Sequence, residues 1–224
     1  MLLNLLISWS TFFCSSVSDT SYQLIVGSYT EQGNPGIEVF TFDASTGTTR
    51  RTYTIQQSNA SYLALSADHK YLYAVSEEAE GKGSLQAYQQ NALGIYSRMN
   101  GQPTVGDAPC FVAYRASSNT LYTANYAGGS LSVLPTEQGQ LLPSSQHIVY
   151  SGSSVNKARQ QSPHAHNVAI SPDENYLYVA DLGTDRIHQH RINADGTVET
   201  KDRAFKVRAG NGPRHLVFDK KGAF

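Results

Sequence analysis

SYLALSADHKYLYAVSE occupies Ser61–Glu77, PCFVAYRASSNTLYTANY occupies Pro109–Tyr126, and PHAHNVAISPDENYLYVAD occupies Pro163–Asp181. The three stretches share one grammar: an apolar run, a polar turn, then a tyrosine-rich second run. They recur at steps of about fifty residues, which is the mark of a repeat architecture. A fourth copy, PRHLVFDKKGAF, begins at Pro213, and its second run falls due at Phe224.

The third copy parses into four strands. His166–Ser171 is followed by the turn Pro172-Asp173-Glu174-Asn175 and by Tyr176–Asp181. A loop at Gly183-Thr184-Asp185 leads to Arg186–Ile192, and Asp195-Gly196 turns the chain into Thr197–Val207. These are hairpin signals at regular spacing, with turn residues where positive φ is cheap. The earlier copies agree. Gly128-Gly129 leads to Ser130–Pro135 and then Gln140–Tyr150, while Gly81–Gly83 leads to Ser84–Gln89. The first unit supplies three strands, at Gln23–Tyr29, Gly36–Phe42 and Thr48–Gln56. No segment sustains apolar spacing at helical period.

Four-stranded antiparallel units of this length, each needing neighbours on both faces, describe an all-β propeller. Seven blades at this period would take about 350 residues. The chain therefore reads as a partial β-propeller over residues 19–224, of about four blades and a stub.

Composition narrows the partners. Net charge is -1 and charged residues make up 16%, which argues against nucleic acid or an anionic membrane as the main ligand. Fourteen tyrosines and eight phenylalanines against two methionines suit strands. The apolar run Leu2–Phe13 is far shorter than the ~20 residues of a membrane span. With the small residues Ser16 and Ser18 it makes residues 1–18 read as a cleaved export signal, although no Lys or Arg precedes the run. That start places the protein in the periplasm or outside the cell, with the cytoplasm as the alternative. Cys14 and Cys110 offer no metal spacing or disulfide framework, and Cys110, in an apolar run after Pro109, reads as a buried inert thiol.

In a propeller the first strand of each blade lines the central channel, so the starts of these strands share one cavity mouth. His164, His166, Arg214 and His215 fall there. His-x-His on a strand puts both rings on one face, yet no carboxylate or Cys stands at matching spacing, and no metal is expected. A guanidinium at such a mouth needs an anion, either a structural carboxylate or a substrate phosphate or carboxylate. Glu77 and Asp181 are read as equivalent strand-end carboxylates, with Tyr126 in a similar place. Asn125 reads first as a turn residue, and His188 and His190 as surface residues of a third strand.

The phrases LIVGSYT (Leu24–Thr30), YLYAVSE (Tyr71–Glu77), ANYAGGSLSVLP (Ala124–Pro135), PHAH (Pro163–His166), SPDENYLYVADLGTDRI (Ser171–Ile187) and GNGPRHLVF (Gly210–Phe218) together resemble the seven-bladed propeller lactonase family. That family includes propeller-type 6-phosphogluconolactonases and carboxy-muconate lactonising enzymes. The resemblance runs from about Gln23 to Phe224; Ser76 departs from it where relatives carry Asn.

It implies cofactor-free hydrolysis of a sugar δ-lactone, with 6-phosphogluconolactone and the pentose phosphate pathway as the expected setting. It implies His164 or His166, with Arg214, as catalytic residues; Arg214, Glu77, Asn125 and His215 are taken as the substrate contacts. It also implies a further glutamate, expected shortly after Phe224. Two other readings stay open: a non-catalytic binding propeller at the cell envelope, and a cycloisomerase acting on a carboxylated muconate.

Overall fold

The computed structural model describes residues 20–219. The leader expected at residues 1–18, Cys14, and Lys220–Phe224 lie outside them. Four antiparallel sheets follow one another along the chain. The first holds β1 (Ser21–Gly27), β2 (Gly36–Asp43) and β3 (Thr48–Gln56), with a 3₁₀ turn at Glu31–Gly33. The second holds β4 (Leu63–Leu65), β5 (Tyr71–Ser76), β6 (Ser84–Gln90) and β7 (Tyr96–Pro103). The third holds β8 (Pro109–Arg115), β9 (Thr120–Asn125), β10 (Ser130–Glu137), β11 (Gln140–Leu141) and β12 (Gln146–Val149). The fourth holds β13 (Ala165–Ile170), β14 (Tyr176–Asp181), β15 (Arg186–Arg191) and β16 (Arg203–Lys206). Strands pair in chain order within each sheet, except that β12 returns to pair with β10 beyond β11, and this is the meander of a propeller blade. Among the described residues no helix is long and apolar enough to cross a membrane.

Three apolar clusters fill the spaces between the four sheets. Ile37 and Val39 of the first blade meet Leu72, Ala74 and Tyr88 of the second. Tyr73, Val75 and Leu85 meet Val112, Leu121 and Leu134 of the third. Tyr122, Leu131 and Val133 meet Val168, Leu177 and Val179 of the fourth. The second strand of a blade is therefore covered on both faces: every residue of β9 is buried, and all but the first of β14. Simple in–out alternation belongs to sheets with one wet face, and these strands have none.

Tyrosine suits such interfaces because its ring fills space while its hydroxyl finds a partner. The Tyr122 hydroxyl donates to the Gly196 carbonyl of the next blade at 2.8 Å. The Tyr88 hydroxyl donates to Gln57 Oε1 at 2.6 Å.

The repeated turn is a local device. Ser66 Oγ donates to Asp68 and accepts the Tyr71 N–H at 3.0 Å; Ser171 Oγ donates to Asp173 and accepts the Tyr176 N–H at the same 3.0 Å. His69 (φ 60°) and Glu174 (φ 55°) take the left-handed conformation at the same place in each turn.

Three expectations need correction. The strand expected at Gln140–Tyr150 divides into β11 and β12, because Pro143 has no N–H for a ladder and Ser144 and Ser145 donate instead to the Val133 carbonyl. The strand expected at Thr197–Val207 shrinks to β16 and an isolated bridge between Ile192 and Val198. His188 and His190 are buried, not on the surface, at 3% and 0% exposure. The outer face of β15 packs on Tyr150, whose ring stacks on His188 at 4.0 Å and whose hydroxyl meets His190 Nε2 at 2.9 Å.

Residues 213–219 form no strand. They lie against β13, with the Leu216 N–H on Asn167 Oδ1 at 3.3 Å.

Candidate active site

The strand starts of the blades open onto a cleft of about 430 Å³. Its lining follows from ladder register. Pro109 pairs with Asn125 and Phe111 with Ala124, which leaves Cys110 out of the ladder. Ala165 pairs with Asp181 and Asn167 with Ala180, which leaves His166 out at the same place one blade on. An unpaired residue of this kind bends the strand and re-aims its side chain. Cys110 and His166 both line the cleft, and Ser61 does so from the segment ahead of β4.

Glu77, directly after β5, supplies a carboxylate to this cleft. Its Oε2 accepts the Tyr29 hydroxyl at 2.8 Å and also the Ser61 hydroxyl. Burial, then the hydrogen bond to Glu77, pushes the Tyr29 phenol up to about 12, so it remains a donor. Arg214 and Arg159 supply positive charge to the same cleft. Arg214 Nε donates to His166 Nε2 at 2.8 Å, and Arg159 Nη2 donates to the Tyr126 hydroxyl at 2.9 Å. The His215 ring meets His166 edge-on at 5.1 Å.

A guanidinium N–H can only donate, so His166 Nε2 accepts and the imidazole proton sits on Nδ1. That nitrogen is buried without a hydrogen-bond partner among the described residues. Burial, followed by the Arg214 and His215 charges, lowers the His166 pKa to about 4. His166 is thus neutral at neutral pH, with its lone pair engaged by Arg214. Burial, and secondarily Glu77, pushes the Cys110 thiol up to about 12. It is an inert thiol, as its apolar setting in the sequence suggested.

Of the residues singled out from sequence, Glu77, His166, Arg214 and His215 converge on the cleft. His164 and Asn125 do not line it. Strand alternation put His164 and His166 on one face, but the bulge separates them. His164 stacks on the Tyr126 ring at 4.5 Å, and its Nδ1 contacts the Tyr126 carbonyl at 3.0 Å. It buttresses the wall of the cleft rather than facing into it. Asn125 is fully buried and donates to Ser130 Oγ at 3.0 Å and Ser132 Oγ at 2.9 Å.

The repeat register also shifts by one. Pairing across each hairpin makes Ser76, Asn125 and Asp181 equivalent strand ends, so Glu77 corresponds to Tyr126 and Leu182. Asp181 is instead a buried brace. It accepts the His164 N–H at 2.7 Å, the Gly183 N–H at 3.0 Å, the Thr184 hydroxyl, and a His188 Nε2 contact at 3.4 Å. Burial, the largest single influence, would raise its pKa, but these donors together outweigh it and hold the carboxyl low.

Tyr29 and Arg159 were missed from sequence. Arg159 lies in the long connection between β12 and β13, which contains no repeat phrase. The available signal was an arginine in a connection longer than those between β3 and β4 and between β7 and β8. Among the described residues no group of three or more His, Cys, Asp or Glu is placed to hold a metal ion.

A family model described as Lactonase, 7-bladed beta-propeller matches residues 23–224. The 6-phosphogluconolactonase of Formosa agariphila is 31% identical over 209 residues, which is 90% of this chain and 59% of that protein. A candidate 6-phosphogluconolactonase structure from Bacteroides fragilis superposes with a TM-score of 0.86 at 38% identity, covering 92% of this chain and 60% of that one. The Pseudomonas aeruginosa periplasmic gluconolactonase PpgL gives 0.82 at 31% identity, covering 90% and 60%. The chain thus spans about three-fifths of the length of these relatives.

Proposed function

Since the chain belongs to the seven-bladed β-propeller lactonase family, we propose that it acts as a hydrolase on a sugar δ-lactone, with 6-phosphogluconolactone as substrate and 6-phosphogluconate as product. The observation that carries this reading is the meeting of Glu77 with the Arg214–His166 pair in one cleft. The relative from Formosa agariphila carries the name of the same activity.

Lactone opening needs a water deprotonated as it attacks the carbonyl carbon, and donors where the oxyanion develops. His166 is poorly suited to the first task, because its accessible lone pair already accepts Arg214. Glu77 is suited to it. Tyr29 and Ser61 both bond Oε2, and Oε1 is the oxygen to take the water proton. The water oxygen forms the new bond to the carbonyl carbon. Arg214, held by His166, anchors the anionic group of the substrate so that the carbonyl carbon lies beside Glu77. When the tetrahedral intermediate collapses, the bond from that carbon to the ring oxygen breaks, and the proton held by Glu77 returns to the leaving alkoxide. The products are a carboxylic acid, which releases its proton to water and becomes the carboxylate, and a free hydroxyl.

The test is loss of 6-phosphogluconolactone with purified protein, corrected for spontaneous hydrolysis. Glu77→Gln and Arg214→Ala are each expected to fall to the background rate. Full turnover in both variants would remove this mechanism. A panel that includes carboxylated muconates tests the cycloisomerase reading, and binding of sugar acids without turnover would favour the non-catalytic one.

We further propose an exported protein, from the apolar start of the chain and from the similarity to a relative described as periplasmic. Recovery of the protein in the cytosolic fraction with its first eighteen residues intact would overturn that.

A further inference from the structure

Beside the cleft lies a second cavity of about 400 Å³, lined from the connection ahead of β13 and from the segment that carries Arg214. Two residues, Arg159 and Arg214, line both cavities. Among the described residues no acidic side chain lines the second cavity; Asn156, Gln160 and Asn211 do. Among the described residues no carboxylate lies within ion-pair distance of either guanidinium. Each is instead aimed by one neutral neighbour, Tyr126 for Arg159 and His166 for Arg214, and keeps its remaining N–H donors.

Both arginine-bearing segments hang on one buried carboxylate. Asp185 Oδ2 accepts the Ser154 hydroxyl at 2.5 Å and the Gly210 N–H at 2.7 Å, and Oδ1 accepts the Gly212 N–H at 2.7 Å. The negative charge of Asp185 is spent on these donors, and the two segments are held at a set spacing. Two guanidinium groups on segments tied to one carboxylate, neither of them ion-paired to a described carboxylate, suit a dianion with several acceptor oxygens.

We propose that Arg159 and Arg214 form a phosphomonoester subsite that holds the phosphate of a phosphorylated sugar lactone while its ring lies beside Glu77. This rests on the lactonase reading and deepens it, because it makes Arg159 a specificity-determining residue for the phosphorylated substrate. A carboxylate has two acceptor oxygens in place of three and one charge less, so a phosphorylated sugar is favoured over its unphosphorylated acid.

The experiment compares 6-phosphogluconolactone with glucono-δ-lactone in wild type, Arg159→Ala and Arg159→Lys. The wild-type preference, as a ratio of kcat/KM values, is expected to fall by about tenfold or more in Arg159→Ala, mainly through KM, as for loss of a charged hydrogen bond. Arg159→Lys is expected to lie between the two, since it keeps the charge and loses the fork. The wild-type preference is also expected to weaken with added salt. An unchanged ratio in Arg159→Ala overturns the subsite.

If wild type opens neither lactone, the catalytic reading fails and the subsite is judged by calorimetric binding of 6-phosphogluconate and gluconate. Tighter binding of the phosphorylated acid that Arg159→Ala abolishes supports it; equal affinities overturn it.

Discussion

The Nε–H of Arg214 points at the Nε2 lone pair of His166 over 2.8 Å. This contact exists only while the imidazole is neutral, because a protonated ring would set donor against donor and cation against cation. Position and protonation state are therefore one property of the pair. In Arg214→Ala, the His166 pKa should rise from about 4. It should stay below 6.5, because burial is the larger cause of the shift. Titration of the ring followed by NMR measures this, and an unmoved midpoint would contradict the coupling.

Acid should destabilise the fold through the same ring. The folded-state pKa of His166 is lowered from 6.5 to about 4, so the unfolded chain takes up the proton first. The stability carried by the neutral ring is complete above about pH 6.5 and is lost as pH falls towards 4. His147 and His190, also lowered by burial, act with the same sign. Urea midpoints should drop across that window, and less steeply in His166→Gln. Parallel curves for the two proteins would refute a contribution from His166.

Glu77→Gln should lower kcat by roughly 10²–10⁴, the usual worth of a positioned general base, and change KM far less. The amide is nearly isosteric, so circular dichroism should be unaltered. A variant with near-normal kcat would assign proton removal elsewhere.

Asp181→Ala should cost about 3 kcal/mol, because several buried donors lose their acceptor together. Asp181→Asn should cost less, since its amide oxygen still serves the His164 and Gly183 N–H groups. Chemical denaturation reads both. Equal midpoints for wild type and Asp181→Ala would deny the brace.

Cys110 should resist thiol reagents at pH 8 in the folded protein and react on unfolding, given a pKa of about 12 and its burial. Peptide mapping after labelling reports on this cysteine separately from Cys14. Rapid native labelling of Cys110 would contradict it.

The blades were legible because their signals are local. The turn built on Ser66 and Asp68 recurs at Ser171 and Asp173, and each needs only neighbours in sequence. The site was legible where it sits on the repeat: Glu77 and His166 fall at the end and start of strands, and Arg214 and His215 open the fourth copy of the repeated phrase. What depends on distant packing was not. His188 and His190 alternate like residues of an exposed strand, and they are covered by Tyr150 from the preceding blade and by contacts with Asp202 and the Glu199 carbonyl. Asp181 and Glu77 look alike as strand-end acids, and ladder register alone separates brace from cleft. Tyr29 and Arg159 reach the cleft from a first-blade loop and from an irregular connection, where no periodicity marks them.

The unpaired positions at Cys110 and His166 have a consequence for how such a protein can change. A side chain outside the hydrogen-bonded ladder can be exchanged while every neighbouring pair keeps its partner. Blade by blade, the same scaffold can be re-equipped, here with a sulfur and there with an imidazole. A reaction repertoire can then diversify through one residue per module, with the architecture left as it was.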